Sequence, residues 1–188
     1  MEKKDLLKDV IKHIDIKSYN STELIDAMRN MSFTSRDTAR AADILMMMCK
    51  EKECTNILTL AGSTSAAGCM QVYVDMVRNK MIDVVVATGA SIIDMDLFEA
   101  LGFKHYIGEK ENVIADTTLR DLYIDRIYDT YIDEEELQAC DHTTFEIANM
   151  LEARPYSSRE FIYEIGKWLH EGHAVKKDSL IQTCYECG

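Results

Sequence analysis

Residues Asn56–Tyr106 read NILTLAGSTSAAGCMQVYVDMVRNKMIDVVVATGASIIDMDLFEALGFKHY. Two apolar runs, Asn56 to Ala61 and Met81 to Ala87, each end in a glycine-bearing turn and then open into a helical pattern. This is the layout of a nucleotide-binding α/β core. In the first unit, Ile57-Leu58-Thr59-Leu60 is too short for a helix and has the composition of a buried parallel strand. The turn Gly62-Ser63-Thr64-Ser65-Ala66-Ala67-Gly68 follows. Its small side chains let backbone amides approach a ligand, and a helix starting there aims its positive end at an anion such as a phosphate. Val72, Met76 and Val77 then supply an apolar stripe. The second unit repeats the plan, with Ile82 to Ala87 as strand, Thr88-Gly89-Ala90-Ser91 as turn, and Leu97, Phe98 and Leu101 as the buried helix face. Parallel strands that end in small polar turns present both turns on one sheet edge, where α/β folds bind ligands. Neither turn is a GxGxxG or a P-loop, so spacing alone also fits two empty βα turns.

The 188 residues suit one domain with a substantial core, and 47% hydrophobic with 29% charged content fits a globular chain. The net charge of -12, with no basic concentration, argues against a nucleic-acid partner. The opening MEKKDLLKDVIKHIDI is amphipathic and lacks a signal peptide's apolar core, and no run reaches membrane-span length. A cytoplasmic protein with no membrane partner is expected. The six cysteines lie mostly in apolar segments, so reduced thiols are the default.

Outward from the central stretch, Leu6, Leu7, Val10, Ile11 and Ile14 mark a short helix or a docking arm. Ser21 is a candidate N-cap for a helix with Leu24, Ile25 and Met28 inward, and Phe33-Thr34-Ser35 begins another that carries Ala39, Ala42, Ile44, Leu45, Met46 and Met48. The Met46-Met47-Met48 run reads as adaptable core packing. Further on, Asp125 to Ile132 alternates as strand with a turn, and a helix from Asp133 to about Leu151 buries Leu137, Phe145, Ile147, Ala148 and Leu151. Its acids Asp133-Glu134-Glu135-Glu136 complement the helix dipole. Ser157-Ser158-Arg159-Glu160 caps a helix from Arg159 to about Leu169, and Asp178 to Tyr185 forms the last, with Leu180, Ile181 and Cys184 inward.

Asp94, Asp96 and Glu99 follow the second turn. At the mouth of a nucleotide site, Asp94 and Asp96 suit an ammonium group, a ribose hydroxyl or a metal; alternatively they are helix acids satisfying the dipole. His170-x-x-His173 with Cys184-x-x-Cys187 can be written as a zinc set, against which stand the inverted order and a CxxC at a helix end. No GxSxG or HExxH is present.

Several segments together resemble the deoxyhypusine synthase family, in its archaeal and bacterial deoxyhypusine-synthase-like branch. They are FTSRDTARA (Phe33–Ala41), AGSTSAAG (Ala61–Gly68), IDVVVATGASIIDMDL (Ile82–Leu97), DRIYDTYIDEEE (Asp125–Glu136), RPYSSREFIYEIG (Arg154–Gly166) and KDSLIQTCYECG (Lys177–Gly188). The resemblance implies an α/β, Rossmann-like, mostly parallel sheet flanked by helices, incomplete relative to the family fold, with residues 1-188 as one domain and a helical arm over about residues 1-50. It implies NAD as cofactor, spermidine or a related polyamine as substrate, and transfer of a 4-aminobutyl group to a lysine of a translation factor or to another amine, within a homo- or hetero-oligomer. By position, NAD contacts fall on Gly62, Ser63, Thr64, Ser65 and Ala66 and on Thr88, Gly89 and Ala90, and polyamine contacts on Asp94 and Asp96. Met95 stands where the family pattern has a second acid. Family members continue well beyond the position of Gly188, with the catalytic lysine in that part, so this chain alone is not expected to complete the reaction. The alternative is a non-catalytic subunit or scaffold.

Overall fold

The structure is a computed structural model that describes residues 1–108 and 114–188. Strands β1 (Ile57–Leu60) and β2 (Val84–Ala87) pair parallel, with Ile57 opposite Val84 and Leu60 opposite Ala87. Between them runs the crossover of a βαβ unit, a π-helical turn Ser65–Cys69 followed by helix α4 (Met70–Arg78). Gly68, at φ +96°, breaks the two apart, and a Cβ there would meet the Lys12 carbonyl at 3.0 Å. Alternation along the strands sends Leu58, Leu60, Val85 and Ala87 toward α4 and helix α10 (Leu180–Cys187), where they join Met70, Val74, Val77 and Leu180. The expected α/β class is therefore present, with its parallel part confined to two strands.

After β2 a continuous helical segment runs through α5 (Gly89–Ser91), a π-helical stretch (Ile92–Leu97) and α6 (Phe98–Ala100). Leu97, Phe98 and Ala100 are fully buried there, against Ile132, Cys140, Ile147, Ile165, Leu169 and Ile181. A second, antiparallel sheet has the order β3 (His105–Ile107), β5 (Thr130–Asp133), β4 (Ile124–Ile127), with the short helix α7 (Asp116–Asp121) preceding β4. The expected strand-turn-strand over Asp125 to Ile132 is the β4–β5 hairpin, whose turn places Tyr128 at φ 55°. β3 carries no alternation long enough to announce itself in sequence; it is fixed by pairing with β5.

The expected long acidic helix is α8 (Glu134–Met150), N-capped by Asp133, whose carboxylate accepts from the Glu135 and Glu136 amides. The capping box of Ser157 and Glu160 starts α9 (Ser158–Trp168), and Ser179 caps α10. The N-terminal segment begins with α1 (Lys3–Leu6), which buries Leu6 beside Leu119, Ile124 and Tyr131. It then extends along β3, where the Ile11 amide donates to the His105 carbonyl at 2.9 Å and the Ile107 amide to the Asp9 carbonyl at 2.7 Å. Both readings are realised in part, a short helix at the start and a docked arm after it.

Helices α2 (Thr22–Met28) and α3 (Phe33–Lys50) depart from the sequence reading. They pack on each other, and α3 buries only Ala39. Leu24, Ile44, Met46 and Met47 are 60%, 43%, 56% and 61% exposed and Ala42 is exposed too, so of the methionine run only Met48 is half-buried and the other two lie at the surface. The Ser21 side chain makes no cap; Asn20 accepts from the Thr22 amide instead. On α8, Phe145 and Ala148 face outward, because the helix turns only the Cys140 and Ile147 stripe inward. In each case the helix carries an apolar side chain that no second layer covers.

Candidate dinucleotide edge and its acidic flank

Because β1 and β2 are adjacent and parallel, the turns that follow them lie side by side at the sheet's C-terminal edge. They are tied directly. The Thr88 amide donates to the Leu60 carbonyl at 3.3 Å, and the Ser91 hydroxyl donates to the Gly62 carbonyl at 3.0 Å. Thr88 Oγ1 lies 3.4 Å from the same Ser91 hydroxyl. Deeper in the first turn, buried Ser65 donates to Met95 Sδ, and Ala66 is buried beside it. Tyr73 holds Thr64 through a 2.8 Å bond between their hydroxyls.

The expected cofactor residues thus divide into two groups. Gly62, Thr64, Thr88, Gly89 and Ala90 are exposed and Ser63 is half-buried, forming the open edge, while Ser65 and Ala66 are buried supports. Gly62 adopts φ +72°, which glycine takes without steric cost. A Cβ added at Gly62 or Gly89 would meet nothing within 4 Å, so free space lies directly over both turns. Small side chains, an open edge and backbone turns leading into helical segments fit the pyrophosphate of a dinucleotide, which needs close backbone approach more than cationic side chains.

The structure separates the two candidate acids. Asp96 is buried, and its carboxylate oxygens accept from the Leu180 and Ile181 amides at 2.8 Å each, so it satisfies the first turn of α10 from another helix. Burial pushes its carboxyl up to about 6 despite those two bonds, which act the other way. Asp94 is half-buried, and burial followed by the nearby Asp141 carboxylate raises its pKa. Of the two candidates, only Asp96 has its carboxylate committed to backbone amides of another helix.

Glu99, one turn beyond Asp96, forms a cluster that no local motif announces. His13 Nε2 lies 2.6 Å and Lys176 Nζ 2.5 Å from Oε2, and His105 Nδ1 lies 3.0 Å from Oε1. Nδ1 of His13 accepts from the Met70 amide at 3.3 Å, which leaves Nε2 to donate to Glu99. Burial alone would raise the Glu99 pKa, but the bonds from His105, His13 and Lys176 outweigh it and hold the carboxyl well below the usual range. The partners come from positions 13, 105 and 176, which sequence spacing cannot connect. The histidines and cysteines of the possible zinc set are otherwise arranged: His170 bonds Glu186 at 3.1 Å and His173 stacks on Trp168. Among the described residues no three His, Cys, Asp or Glu side chains are arranged to hold a metal ion, and no helix is long and apolar enough to cross a membrane.

A βαβ unit whose two small-residue turns are tied at one sheet edge defines an α/β protein of the kind that binds ligands at that edge. Comparison with known proteins gives the family. The pattern of the deoxyhypusine synthase family matches residues 23–188, and the chain belongs to that family. A deoxyhypusine synthase-like protein of Caulobacter vibrioides is 66% identical over the whole of this chain and 50% of its own length. One from Coxiella burnetii is 59% identical over 98% of this chain and 52% of its own. A Methanosarcina acetivorans protein named probable deoxyhypusine synthase 2 is 36% identical, covering 92% of this chain and 49% of its own. The fold is shared, at 19% identity and a TM-score of 0.54, with a crystal structure assigned as a deoxyhypusine synthase from Entamoeba histolytica, over 94% of this chain and 61% of that one. The chain spans about half the length of the curated relatives it matches.

Proposed function

We propose that this chain is the NAD-binding half of a deoxyhypusine-synthase-like transferase that moves a 4-aminobutyl group from spermidine or a related polyamine to a lysine of a translation factor or to another amine. The observation that carries the proposal is the open edge at which Gly62–Ala66 and Thr88–Ala90 are joined by the Ser91–Gly62 hydrogen bond. NAD, when bound, supplies the hydride acceptor for amine oxidation. In this role the amides and hydroxyls of Ser63, Thr64 and Thr88 orient the pyrophosphate and ribose. Asp94 pairs with an ammonium of the polyamine, a charge-assisted contact that its partial burial strengthens. Asp96 holds α10 in place beneath them. The nucleophilic lysine belongs to the portion that the relatives carry beyond this chain, in the same cytoplasmic oligomer.

Calorimetry with NAD tests the edge. In Gly89→Trp the added Cβ would meet nothing within 4 Å at an exposed position, so the thermal midpoint should hold while NAD affinity falls at least ~10-fold. Ser63→Trp should do the same, and unchanged affinity in both variants would remove the assignment. The occupied carboxylate of Asp96 favours a second reading, a non-catalytic subunit that shapes an oligomer. A complex with a lysine-bearing half that assembles but never takes up NAD would establish that reading.

A further inference from the structure

The first of the two turns is held at its far end by a distant piece of chain, the N-terminal arm. The Ile14 amide donates to the Gly68 carbonyl at 2.9 Å, and the Met70 amide donates to His13 Nδ1 at 3.3 Å. The arm passes so close to Gly68 that the Lys12 carbonyl takes the space a Cβ would need. The opening amides of a helix have no partner within it, and the N-cap of α4, Cys69, makes no side-chain bond to them. His13 supplies that bond from 57 positions away. One turn along α4, Tyr73 donates its hydroxyl to Thr64 Oγ1 at 2.8 Å. The contacts thus run from His13 through the start of α4 to Thr64. Between Lys8 and Asn20 only Ile11 and His13 are even half-buried, so this stretch is fastened by polar contacts rather than by a buried apolar face. Segments fastened in this way open locally at a smaller free energy than the whole fold.

We propose that His13 is a positioning residue for the ligand edge, and that the arm from Asp9 to Ile14 is a detachable strap that regulates it. Docked, the strap caps α4 and holds the Ser63–Gly68 turn in its ligand-accepting form. Released, it uncaps α4 and the turn loosens. The inference rests on the proposed function for the identity of the ligand, NAD, while the strap's hold on the turn comes from the contacts alone. His13 suits the task because one ring nitrogen accepts from α4 and the other donates to Glu99 at 2.6 Å, which joins the first turn's helix to the segment bearing the second turn. When His13 leaves, Glu99 keeps His105 and Lys176, so release strands no buried charge there. Anchors stand on both sides of the strap. Leu6 is buried before it, and after it Lys17 Nζ lies 2.7 Å from Asp75 of α4. The strap can therefore lift and return without the chain around it leaving the core.

Amide hydrogen exchange read by NMR on the 188-residue chain, with NAD calorimetry on the same samples, tests the strap. The Ala67 and Cys69 amides donate to the Ser63 and Thr64 carbonyls at 2.9 and 3.1 Å, so they report on the turn itself rather than on the bond to His13. His13→Phe should speed exchange of both at least ~10-fold and weaken NAD at least ~10-fold, while the amides of α8 keep their wild-type rates. His13→Gln, which carries an acceptor and a donor on one planar group, should restore both readouts. Ile14→Pro removes the donor to Gly68 from an exposed residue and should reproduce the exchange effect, which decides the matter if the phenylalanine variant does not fold. Lys8→Ala, exposed on the same arm, is the control that changes neither readout. Wild-type exchange at Ala67 and Cys69 in both His13→Phe and Ile14→Pro, or an acceleration that extends equally to α8, would overturn the proposal. So would a His13→Phe chain that binds NAD as wild type does. A wild-type chain that takes up no NAD removes the cofactor reading instead, and the exchange rates still decide whether the strap holds the turn.

Discussion

Replacing Glu99 by glutamine tests how the N-terminal arm and the α10 approach are fastened to the core. Glu99 is 11% exposed and gathers His13 from the arm, His105 from β3 and Lys176 from the segment before α10. Glutamine offers one acceptor oxygen where three donors converge, and it turns an NH2 toward at least one of them. Removing one member of a buried ion pair costs about 3–5 kcal/mol. Lys176 is 32% exposed and can rotate toward water, which discounts the figure to roughly 2–4 kcal/mol. For a chain of this size that corresponds to a fall of roughly 5–15 °C in the thermal midpoint at pH 7. The pH dependence has a definite sign. The folded-state pKa of Glu99 is depressed, so its stabilisation is fully present above the unfolded value of about 4.3 and is lost as pH falls toward the folded value. The stability gap between wild type and Glu99→Gln should therefore be constant from about pH 7 to 5 and close below about pH 4. Urea melts of both proteins at several pH values provide the assay, and Lys176→Met completes a double-mutant cycle. A gap below about 0.5 kcal/mol at pH 7, or one that persists unchanged in acid, would refute the reasoning.

Asp96 should show the opposite acid behaviour. Its pKa is raised to about 6, so its protonation stabilises the fold below the unfolded value of about 3.9, and this is lost as pH rises through about 6; Asp96→Asn should flatten that part of the stability profile, as measured by urea melts from pH 4 to 7. Gly166→Ala should lower the thermal midpoint despite alanine's better helix propensity, because its Cβ would lie 2.8 Å from Tyr185 Cβ and 2.9 Å from the Ile181 carbonyl; overpacking of this kind costs about 1–3 kcal/mol against a propensity gain of about 1 kcal/mol. Burial pushes the Cys140 thiol up to about 12 and Cys184 to about 11, whereas Cys49 and Cys187 are exposed. Timed iodoacetamide labelling at pH 8 read by mass spectrometry should find Cys49 and Cys187 modified first and Cys140 spared.

What could be read in the sequence follows the range of the interactions responsible. The β1 and β2 runs, the Ser157–Glu160 capping box and the acidic start of α8 are specified by residues within one or two turns of each other, and they appear where the pattern puts them. β3 has only three residues and exists because β5 lies beside it. Leu24, Met46 and Phe145 are exposed for a related reason. Apolar character states that burial would be favourable, but the layer that would bury these residues is not specified by the helix that bears them. The site divides along the same line. Gly62–Ala66 and Thr88–Ala90 are legible as turns on one sheet edge because each turn is local and the parallel register brings them together. The different surroundings of Asp94 and Asp96, two residues apart, are not. They depend on α10, which begins more than eighty residues later and claims only one of the two carboxylates.

The helical segment from Gly89 to Ala100 accounts for why the turn edge and the distant chain ends belong to one construction. Its first residues form the second turn, where Ser91 fixes the first turn through Gly62. Its middle supplies Met95 to Ser65 and Asp96 to α10. Its last turn supplies Glu99 to the arm, to β3 and to Lys176. Leu97, Phe98 and Ala100 are meanwhile fully buried, so the segment cannot shift without opening the core. Each polar anchor thus leaves from a backbone already fixed by packing, and the free space over Gly62 and Gly89 persists beside a rigid wall. Such a wall aligns a ligand only if the anchors hold. Loss of the Asp96 or Glu99 contacts should therefore reach the turns through the segment's position rather than through any direct contact with a ligand.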